Sequence, residues 1–205
     1  MARSDSQLSA IVLAAGRSAR MGEAKQLLRL GGRTVLERTL ENVRGAALEK
    51  MILVLGFSAE TIREQISEAL LEDVTVVVNR DFEQGMASSL RKGLSAVAPG
   101  MNAGLIVLAD QPFVRPETMR LLVERYRCCE AEIVIPVHEG RRGNPVVLDW
   151  AVFPEAMALE GDTGCRAIFG KHAKGIVEVE VDDPGILLDI DSREDYERAR
   201  GLKLF

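Results

Sequence analysis

Apolar runs alternate with amphipathic segments along this chain, and that alternation is the feature that most restricts its fold. The apolar runs are short and rich in Val, Ile and Leu, which is typical of buried strands. The segments between them carry apolar residues at helical spacing. The pattern predicts a layered α/β domain in which strands and helices alternate.

The predicted strands and helices occupy most of the chain. We expect strands at 9–13, 51–55, 74–78, 104–110, 132–137, 144–148, 176–181 and 187–190. We expect helices at 34–43, from a cap at Ser58 through 70, at 86–98, 116–128 and 193–201.

Composition narrows the class of protein. A chain of 205 residues with 47% hydrophobic content suits one domain with one core. The net charge of −5 argues against a nucleic-acid or membrane surface. No apolar run is long enough for a membrane span, and residues 1–7 lack the apolar core of a signal peptide. Three cysteines without paired C-x-x-C spacing support neither zinc nor disulfides, so we expect a cytoplasmic protein.

The segment 13–25 carries the strongest functional signal. It leaves the first predicted strand and is bounded by Gly16 and Gly22, with the cations Arg17, Arg20 and Lys25 around them. A glycine-bounded loop with free N–H groups and cations is suited to wrap a polyphosphate. The Walker A pattern and the dinucleotide-binding glycine pattern both fail here. Solvated arginines in an ordinary turn are the alternative interpretation.

Acidic residues follow two later strands. Asp110 ends an otherwise apolar strand, and ligands of open parallel sheets lie beyond such strand ends. Asp189 and Asp191 stand two apart, so on a strand both carboxylates would face one ligand. Each has a structural alternative: Asp110 caps a turn, and Asp191 or Ser192 caps the next helix.

Three further polar segments are candidates for ligand binding. Asn79 leaves the third strand, and Gly85 and Ser88 open a helix whose free N–H groups suit phosphate or ribose. Helix capping by Ser88 is equally consistent with the pattern. The loops 140–145 and 161–166 are glycine-flanked and carry Arg141, Arg142 and Arg166, which either hold an acceptor or are solvated.

The segment 13–25 resembles the signature of the MobA-like nucleotidyltransferases, L-A-x-G-x-S-x-R-M-G-x-x-K. The matching residues are Leu13, Ala14, Gly16, Ser18, Arg20, Met21, Gly22 and Lys25. The resemblance implies a three-layer Rossmann-like nucleotidyltransferase fold with a mostly parallel central sheet and helices on both faces. It further implies one domain, with a nucleotide-binding part at about 1–110 and an acceptor-binding part at about 111–205.

The resemblance also implies roles for individual residues. Arg20, Lys25 and Asp110 would be catalytic, and Asp110 and Asp191 would hold Mg²⁺. The expected acceptor-binding residues are Gln111, Arg141, Asn144, Asp162 and Arg166. The expected nucleotide-binding residues are Leu13, Ala14, Ala15, Gly16, Arg17, Ser18, Arg20, Gly22, Lys25, Asn79, Gly85 and Ser88.

The implied reaction transfers a nucleoside monophosphate to a small phosphorylated acceptor. The pair Ala14-Ala15 resembles the branch that makes the cytosine dinucleotide form of molybdenum cofactor, since the guanine-using branch more often has glycine at the second position. We therefore expect CTP, or another NTP, and a molybdopterin-type acceptor, with transient contact to an apo-molybdoenzyme or its maturation factor. Alternatives are guanylyl transfer to the same cofactor, cytidylyl transfer to another phosphate, or a non-catalytic carrier. A nicotinamide-binding oxidoreductase is disfavoured by the failed glycine pattern.

Overall fold

A computed structural model describes residues 5–17, 21 and 24–201. The ten strands of these residues are β1 (Leu8–Ala14), β2 (Arg29–Leu30), β3 (Arg33–Thr34), β4 (Lys50–Leu55), β5 (Val74–Val78), β6 (Ala103–Leu108), β7 (Ile133–His138), β8 (Arg141–Arg142), β9 (Val146–Asp149) and β10 (Ile176–Glu180). The seven α-helices are α1 (Val35–Gly45), α2 (Ala59–Gln65), α3 (Glu68–Leu71), α4 (Met86–Leu94), α5 (Pro116–Cys128), α6 (Phe153–Met157) and α7 (Arg193–Gly201).

The central sheet has the order β10-β7-β9-β6-β1-β4-β5, with β8 attached to β7. Its strands run parallel except β8 and β9, which pair antiparallel with their neighbours. Leu13 of β1 lies opposite Leu108 of β6, and Ala14 lies opposite Leu55 of β4. The carboxyl ends of the three central strands are therefore level, and the chain leaves all three at one edge of the sheet.

The core lies on both faces of this sheet. Alternate residues of β1 point to opposite sides: Ala10 and Val12 belong to one apolar cluster and Ile11 to the other. The first cluster packs against α1, α2 and α5, and the second against α4 and α6. The three-layer α/β architecture with a mostly parallel sheet is thus confirmed.

A third, smaller cluster lies at the carboxyl edge of the sheet. It joins Leu28 and Leu30, from the β2–β3 hairpin and the residues before it, to Ile190 and Tyr196 near α7. The Tyr196 hydroxyl donates to the Arg29 carbonyl at 2.7 Å. This cluster holds the segment after the first loop against the segment that precedes the last helix.

Several element predictions need correction. The predicted strand at 187–190 is wrong: Pro184–Leu187 form a 3₁₀ turn in which the Asp183 carboxylate accepts from the Gly185 N–H, and residues 188–192 are irregular. The helix predicted at 86–98 ends at Leu94. Ser58 precedes α2 but makes no side-chain cap, and its backbone is left-handed with φ of 53°.

No helix among the described residues is long and apolar enough to cross a membrane.

Candidate active site

Lys25 and two aspartates meet at the carboxyl edge of the sheet. The Lys25 ammonium lies 2.6 Å from Asp110 Oδ2 and 2.7 Å from Asp191 Oδ1. Asp110 comes directly after β6, whereas Lys25 and Asp191 are brought together by the cluster of Leu28 and Ile190. Residues separated by more than 160 positions in the chain therefore share one point in space.

The electrostatics of this group favour the charged form of the lysine. Burial alone would lower the pKa of Lys25, but the negative charges and hydrogen bonds of Asp110 and Asp191 outweigh it and raise the pKa above its ordinary value. Lys25 is therefore a permanent cation at neutral pH. It can neutralise a phosphate, but it cannot act as a base.

Asp191 is free for this role because Ser192 caps α7. The Ser192 hydroxyl accepts a hydrogen bond from the Asp195 N–H at 3.2 Å, and the Asp195 carboxylate accepts from the Ser192 N–H at 3.0 Å. This reciprocal pair is a capping box. The alternative interpretation in which Asp191 caps the helix is therefore not what the structure shows.

Asp110 and Asp191 suit a divalent cation. Oδ1 of Asp110 is buried and has no hydrogen-bond partner among the described residues, so a ligating oxygen is in place. A buried, unpartnered carboxylate oxygen is costly unless something compensates it. Magnesium takes one or two carboxylates together with water and substrate phosphate oxygens, which matches this donor set.

Asp189 does not share this site, contrary to the expectation from its spacing. Because residues 188–192 are irregular, Asp189 turns to Gln111, whose side-chain amide donates to its carboxylate. Partial desolvation raises the pKa of Asp189, the Gln111 hydrogen bond opposes the shift, and the charges of Asp110 and Asp191 add to it. The Asp189 side chain therefore points to Gln111, whereas the Asp191 side chain points to Lys25.

A cavity of about 430 Å³ opens beside Lys25. Ten of the predicted site residues line it: Leu13, Ala14, Ala15, Gly16, Arg17, Lys25, Gly85, Asp110, Asp162 and Asp191. Asp162 and Asp191 come from the part of the chain expected to bind the acceptor, so both parts contribute to this first cavity. Arg17 stands at its rim with 65% of its side chain exposed and pairs with Glu83 at 3.3 Å.

A second cavity of about 300 Å³ adjoins the first and shares Leu13, Met86, Leu108 and Asp162 with it. Three residues predicted to bind the acceptor line it, namely Asn144, Asp162 and Arg166, together with Asp189. Gln111 contributes through its hydrogen bond to Asp189. Cys165 also lines this cavity, and burial raises the pKa of its thiol to about 12, so it is not a thiolate nucleophile at neutral pH.

Close backbone contact joins the two cavities. Gly85 has a φ of +96°, and a Cβ built on it would lie 2.4 Å from the Gly161 carbonyl carbon. The Ala87 N–H donates to the Gly161 carbonyl at 3.1 Å. Only glycine at position 85 allows the start of α4 to meet the loop that carries Asp162.

Four predicted site residues among those described line neither cavity: Gln111, which bonds to Asp189, and the three residues Asn79, Ser88 and Arg141. Asn79 is 4% exposed and donates to the hydroxyls of Ser88 and Ser89 at 2.8 and 3.1 Å, so it fixes the start of α4 from within. Ser88 is likewise buried, and its hydroxyl donates to the Gly85 carbonyl. Arg141 is exposed on β8 and lines neither cavity. Ser18, Arg20 and Gly22 lie outside the described residues.

Sequence reasoning missed several cavity residues. Gln26, Phe82, Met86 and Ser89 line the first cavity, whereas the residues predicted beside them were Lys25, Gly85 and Ser88. Both serines accept a hydrogen bond from Asn79, so their adjacent positions in the sequence do not indicate which one lines the cavity. No comparable signal marks Gln26, which is 2% exposed.

The family of this chain follows from comparison with known proteins. The sequence model of one protein family, the MobA-like NTP transferase domain, matches residues 10–176 of this chain. The chain therefore belongs to the MobA-like nucleotidyltransferase family, as its first loop predicts.

Two relatives and two solved structures of one further protein are similar to nearly the whole chain. Nicotine blue oxidoreductase of Paenarthrobacter nicotinovorans is 31% identical over 93% of this chain and 95% of its own length. Molybdenum cofactor cytidylyltransferase of Escherichia coli (strain K12) is 25% identical over 95% of this chain and 96% of its own length. The crystal structure of Rv0371c from Mycobacterium tuberculosis H37Rv has a TM-score of 0.85 and 34% identity, covering 96% of this chain and 99% of that one. Rv0371c has also been solved in complex with manganese, with a TM-score of 0.81, 33% identity and coverage of 95% and 98%.

Proposed function

We propose that the protein moves CMP from CTP to the terminal phosphate of a molybdopterin-type acceptor and releases pyrophosphate. The observation that carries the proposal is the convergence of Lys25, Asp110 and Asp191 at the floor of the first cavity. The similarity to molybdenum cofactor cytidylyltransferase supports this acceptor class. The neighbouring second cavity supplies room for a second substrate.

The transfer forms one phosphorus–oxygen bond and breaks another. An oxygen of the acceptor phosphate attacks the α-phosphorus of CTP, and the bond to the β-phosphate breaks as pyrophosphate leaves with the electron pair. A phosphate monoester is mostly dianionic at neutral pH, so no general base is required. Catalysis then rests on positioning and on neutralising charge.

Each residue of the site has a part in this scheme. Lys25 neutralises the phosphates, and Arg17 adds positive charge at the rim of the cavity. Arg20, which lies outside the described residues, is proposed from the family signature as a further cation for the triphosphate. Asp110 and Asp191 would hold Mg²⁺, which supplies neutralisation of the α-phosphate when bound. Asn144, Asp162 and Arg166 would orient the acceptor in the second cavity, and Gln111 would fix Asp189 beside it.

The choice of base rests on Ala15. Ala15 lines the first cavity, and the proposal is that a residue larger than glycine at this position favours a pyrimidine over a purine. A turnover assay in which CTP and GTP compete tests this point, and preference for GTP would overturn it.

The same proposal includes three further parts. The product is delivered by transient contact to an apo-molybdoenzyme or its maturation factor, and the protein works in the cytoplasm. Residues at about 1–110 bind the nucleotide, and residues at about 111–205 bind the acceptor.

Thermal shifts with CTP, GTP, ATP and UTP, with and without Mg²⁺, are the first experiment. We expect the largest shift with CTP and Mg²⁺. Pyrophosphate release on addition of the acceptor then separates an enzyme from a carrier. Lys25→Ala is expected to abolish the release, because the cation beside both carboxylates is lost. Turnover that survives Lys25→Ala would reject the assigned site.

An oxidoreductase is the second candidate function, because the relative with 31% identity is named for oxidation and reduction. The same thermal-shift panel should therefore include NADH and NADPH. A shift with either dinucleotide, combined with its oxidation in the presence of a quinone-like dye and no pyrophosphate release from CTP, would favour this candidate over nucleotidyl transfer.

A further inference from the structure

Gln26 is buried directly behind the loop that leaves β1. The residue is 2% exposed, and its Nε2 donates to the carbonyl oxygens of Ala14 and Gly16 at 2.9 and 3.1 Å. Carbonyl oxygens only accept hydrogen bonds, so they fix which end of the side-chain amide faces the loop. One amino group thus holds the backbone on both sides of Ala15.

The remaining carbonyl of this segment is also engaged. The Ala15 oxygen accepts a hydrogen bond from the Phe57 N–H at 3.2 Å. In a trans peptide the C=O and N–H of one unit point in opposite directions. Because the Ala14 and Gly16 carbonyls point to Gln26, the N–H groups of Ala15 and Arg17 point away from it. The three carbonyls face the protein, and the segment can offer a ligand its donors.

The two ends of the Gln26 amide differ in what they do. Oε1 is buried and has no hydrogen-bond partner among the described residues, which opposes folding. The amino group satisfies two carbonyls that an apolar side chain would leave without this donor. Both of these hydrogen bonds fix backbone that lines the first cavity, so the position of the cavity wall depends on Gln26.

We propose that Gln26 is a positioning residue for base selection: it keeps the segment Ala14–Arg17 in the conformation that presents only N–H donors to the base. A donor-only edge fits a base with adjacent acceptors. Cytosine has such a pair in O2 and N3, whereas uracil carries an N–H at N3 between its two carbonyl oxygens. This inference rests on the proposed function and gives its preference for CTP a second physical cause.

The test compares nucleotide binding in two matched variants. Gln26→Met keeps the size of the side chain and removes its donors. Arg38→Met removes two hydrogen bonds to another backbone carbonyl, that of Leu30, away from both cavities. Affinities for CTP and UTP are measured by calorimetry with Mg²⁺ and no acceptor, and melting temperatures are measured alongside.

We expect the ratio of CTP to UTP affinity to fall at least about 10-fold in Gln26→Met and to stay within about 2-fold in Arg38→Met. A purely structural role would lower the melting temperature of both variants and leave the ratio unchanged. Gln26→Glu provides a second variant of the same length, because its carboxylate repels the two carbonyls and should also reduce the ratio. An unchanged ratio in folded Gln26→Met, or unfolding of both Gln26 variants, would overturn the inference.

The inference and the proposed function fail in different ways. If the wild-type protein selects CTP and releases pyrophosphate but Gln26→Met keeps its selectivity, only the inference falls. If the wild-type protein selects CTP and Gln26→Met loses that selectivity, but no acceptor yields pyrophosphate, the inference stands and the transfer reaction falls.

Discussion

The two cavities are built in different ways, although they share a wall. Asp110 of the first cavity lies just beyond the end of a central parallel strand, and Lys25 from a 3₁₀ turn and Asp191 from irregular residues meet it there. The second cavity draws its polar groups from loops around an antiparallel strand, β9, and from the irregular residues before α7. Its polar residues have neither a common motif nor a common element.

The pairing of charges differs as well. In the first cavity a buried cation is paired with two carboxylates, so these three groups are held in place with a net charge of −1, which suits a divalent cation and its phosphates. In the second cavity Arg166 is exposed, and among the described residues its side chain makes one long hydrogen bond of 3.4 Å to the Arg142 carbonyl. Preorganised charge suits the reacting phosphates, whereas a looser cation suits an acceptor that must enter and leave.

The largest expected effect concerns Asp110. Asp110→Asn keeps the shape but removes the charge from the more buried of the two acids, whose side chain is 21% exposed against 50% for Asp191. We expect pyrophosphate release to fall by about 10³-fold or more, and by about 10-fold to 100-fold in Asp191→Asn, because solvent screens the more exposed charge. Asp182→Asn, on an exposed position outside both cavities, is the control. Equal losses of pyrophosphate release in Asp110→Asn and Asp191→Asn would contradict the expectation that the more buried charge contributes more.

Much of the first cavity could be predicted from the sequence. The runs 9–13 and 104–110 were predicted as strands, and the structure pairs β1 with β6 in parallel, so their carboxyl ends lie together. The helices 116–128 and 193–201 were predicted with the bounds that the structure has, because Pro116 opens the first and Ser192 caps the second. The residues at the start of a helix are enough to predict its first residue when one of them is a proline or a capping serine.

The failures have a common physical cause. Asp189 and Asp191 were placed on a strand because apolar residues precede them, but the Asp183 side chain caps a 3₁₀ turn that the apolar pattern does not reveal. Asn79 and Ser88 were assigned to the nucleotide, yet each satisfies the other inside the protein. Arg141 and Arg166 look alike in sequence, and only the packing of loops separates them. Contacts between distant segments decide these cases.

The junction between the cavities gives the next largest effect. Gly85→Ala must push the Gly161 backbone away and adopt an unfavourable positive φ, at an expected cost of about 1–3 kcal/mol. Because this contact joins both cavities, we expect the affinities for CTP and for the acceptor to fall together, by about 10-fold each. Melting temperature and the two binding constants are the measurements.

Gly16→Ala is the matched control for that variant. A Cβ at position 16 has nothing within 4 Å and needs no positive φ, so the stability should not change. The methyl group enters the first cavity, and only the affinity for nucleotide should decrease. A drop in melting temperature as large as that of Gly85→Ala would contradict the difference between the two glycines.

A smaller effect is expected from the second cavity alone. Arg166→Met should raise the KM for the acceptor about 10-fold and change the affinity for CTP by less than about 2-fold, because Arg166 lines only that cavity. Arg141→Met serves as the comparison, since β8 places this arginine outside both cavities. Steady-state kinetics with varied acceptor measure both. If Arg141→Met raised the KM as much, the acceptor would have to extend over β8.

The smallest effect concerns the support of the first cavity. Glu37 accepts hydrogen bonds from the N–H groups of Thr34 and Ser67 at the start of α1, directly after the β2–β3 hairpin. Burial alone would raise the pKa of Glu37, but these donors outweigh it and lower the pKa below the ordinary 4.5. The ionised form is therefore the stabilising one, and its contribution is present above pH 4.5 and is lost as pH falls through the folded-state pKa.

Glu37→Gln should accordingly lower the free energy of unfolding by about 1 kcal/mol at pH 7, because it disrupts the capping box of α1. The difference from wild type should shrink at a second, acidic pH below the folded-state pKa of Glu37, where the native side chain is itself protonated. Glu41→Gln, one turn later on the same helix, loses a surface pair with Arg33 and an electrostatic attraction to Arg38, and it should change stability by less than about 0.5 kcal/mol. Urea unfolding at both pH values measures all three proteins. A deficit in Glu37→Gln that did not depend on pH would mean that side-chain shape, rather than the charge at the helix start, supports the segment beside Lys25.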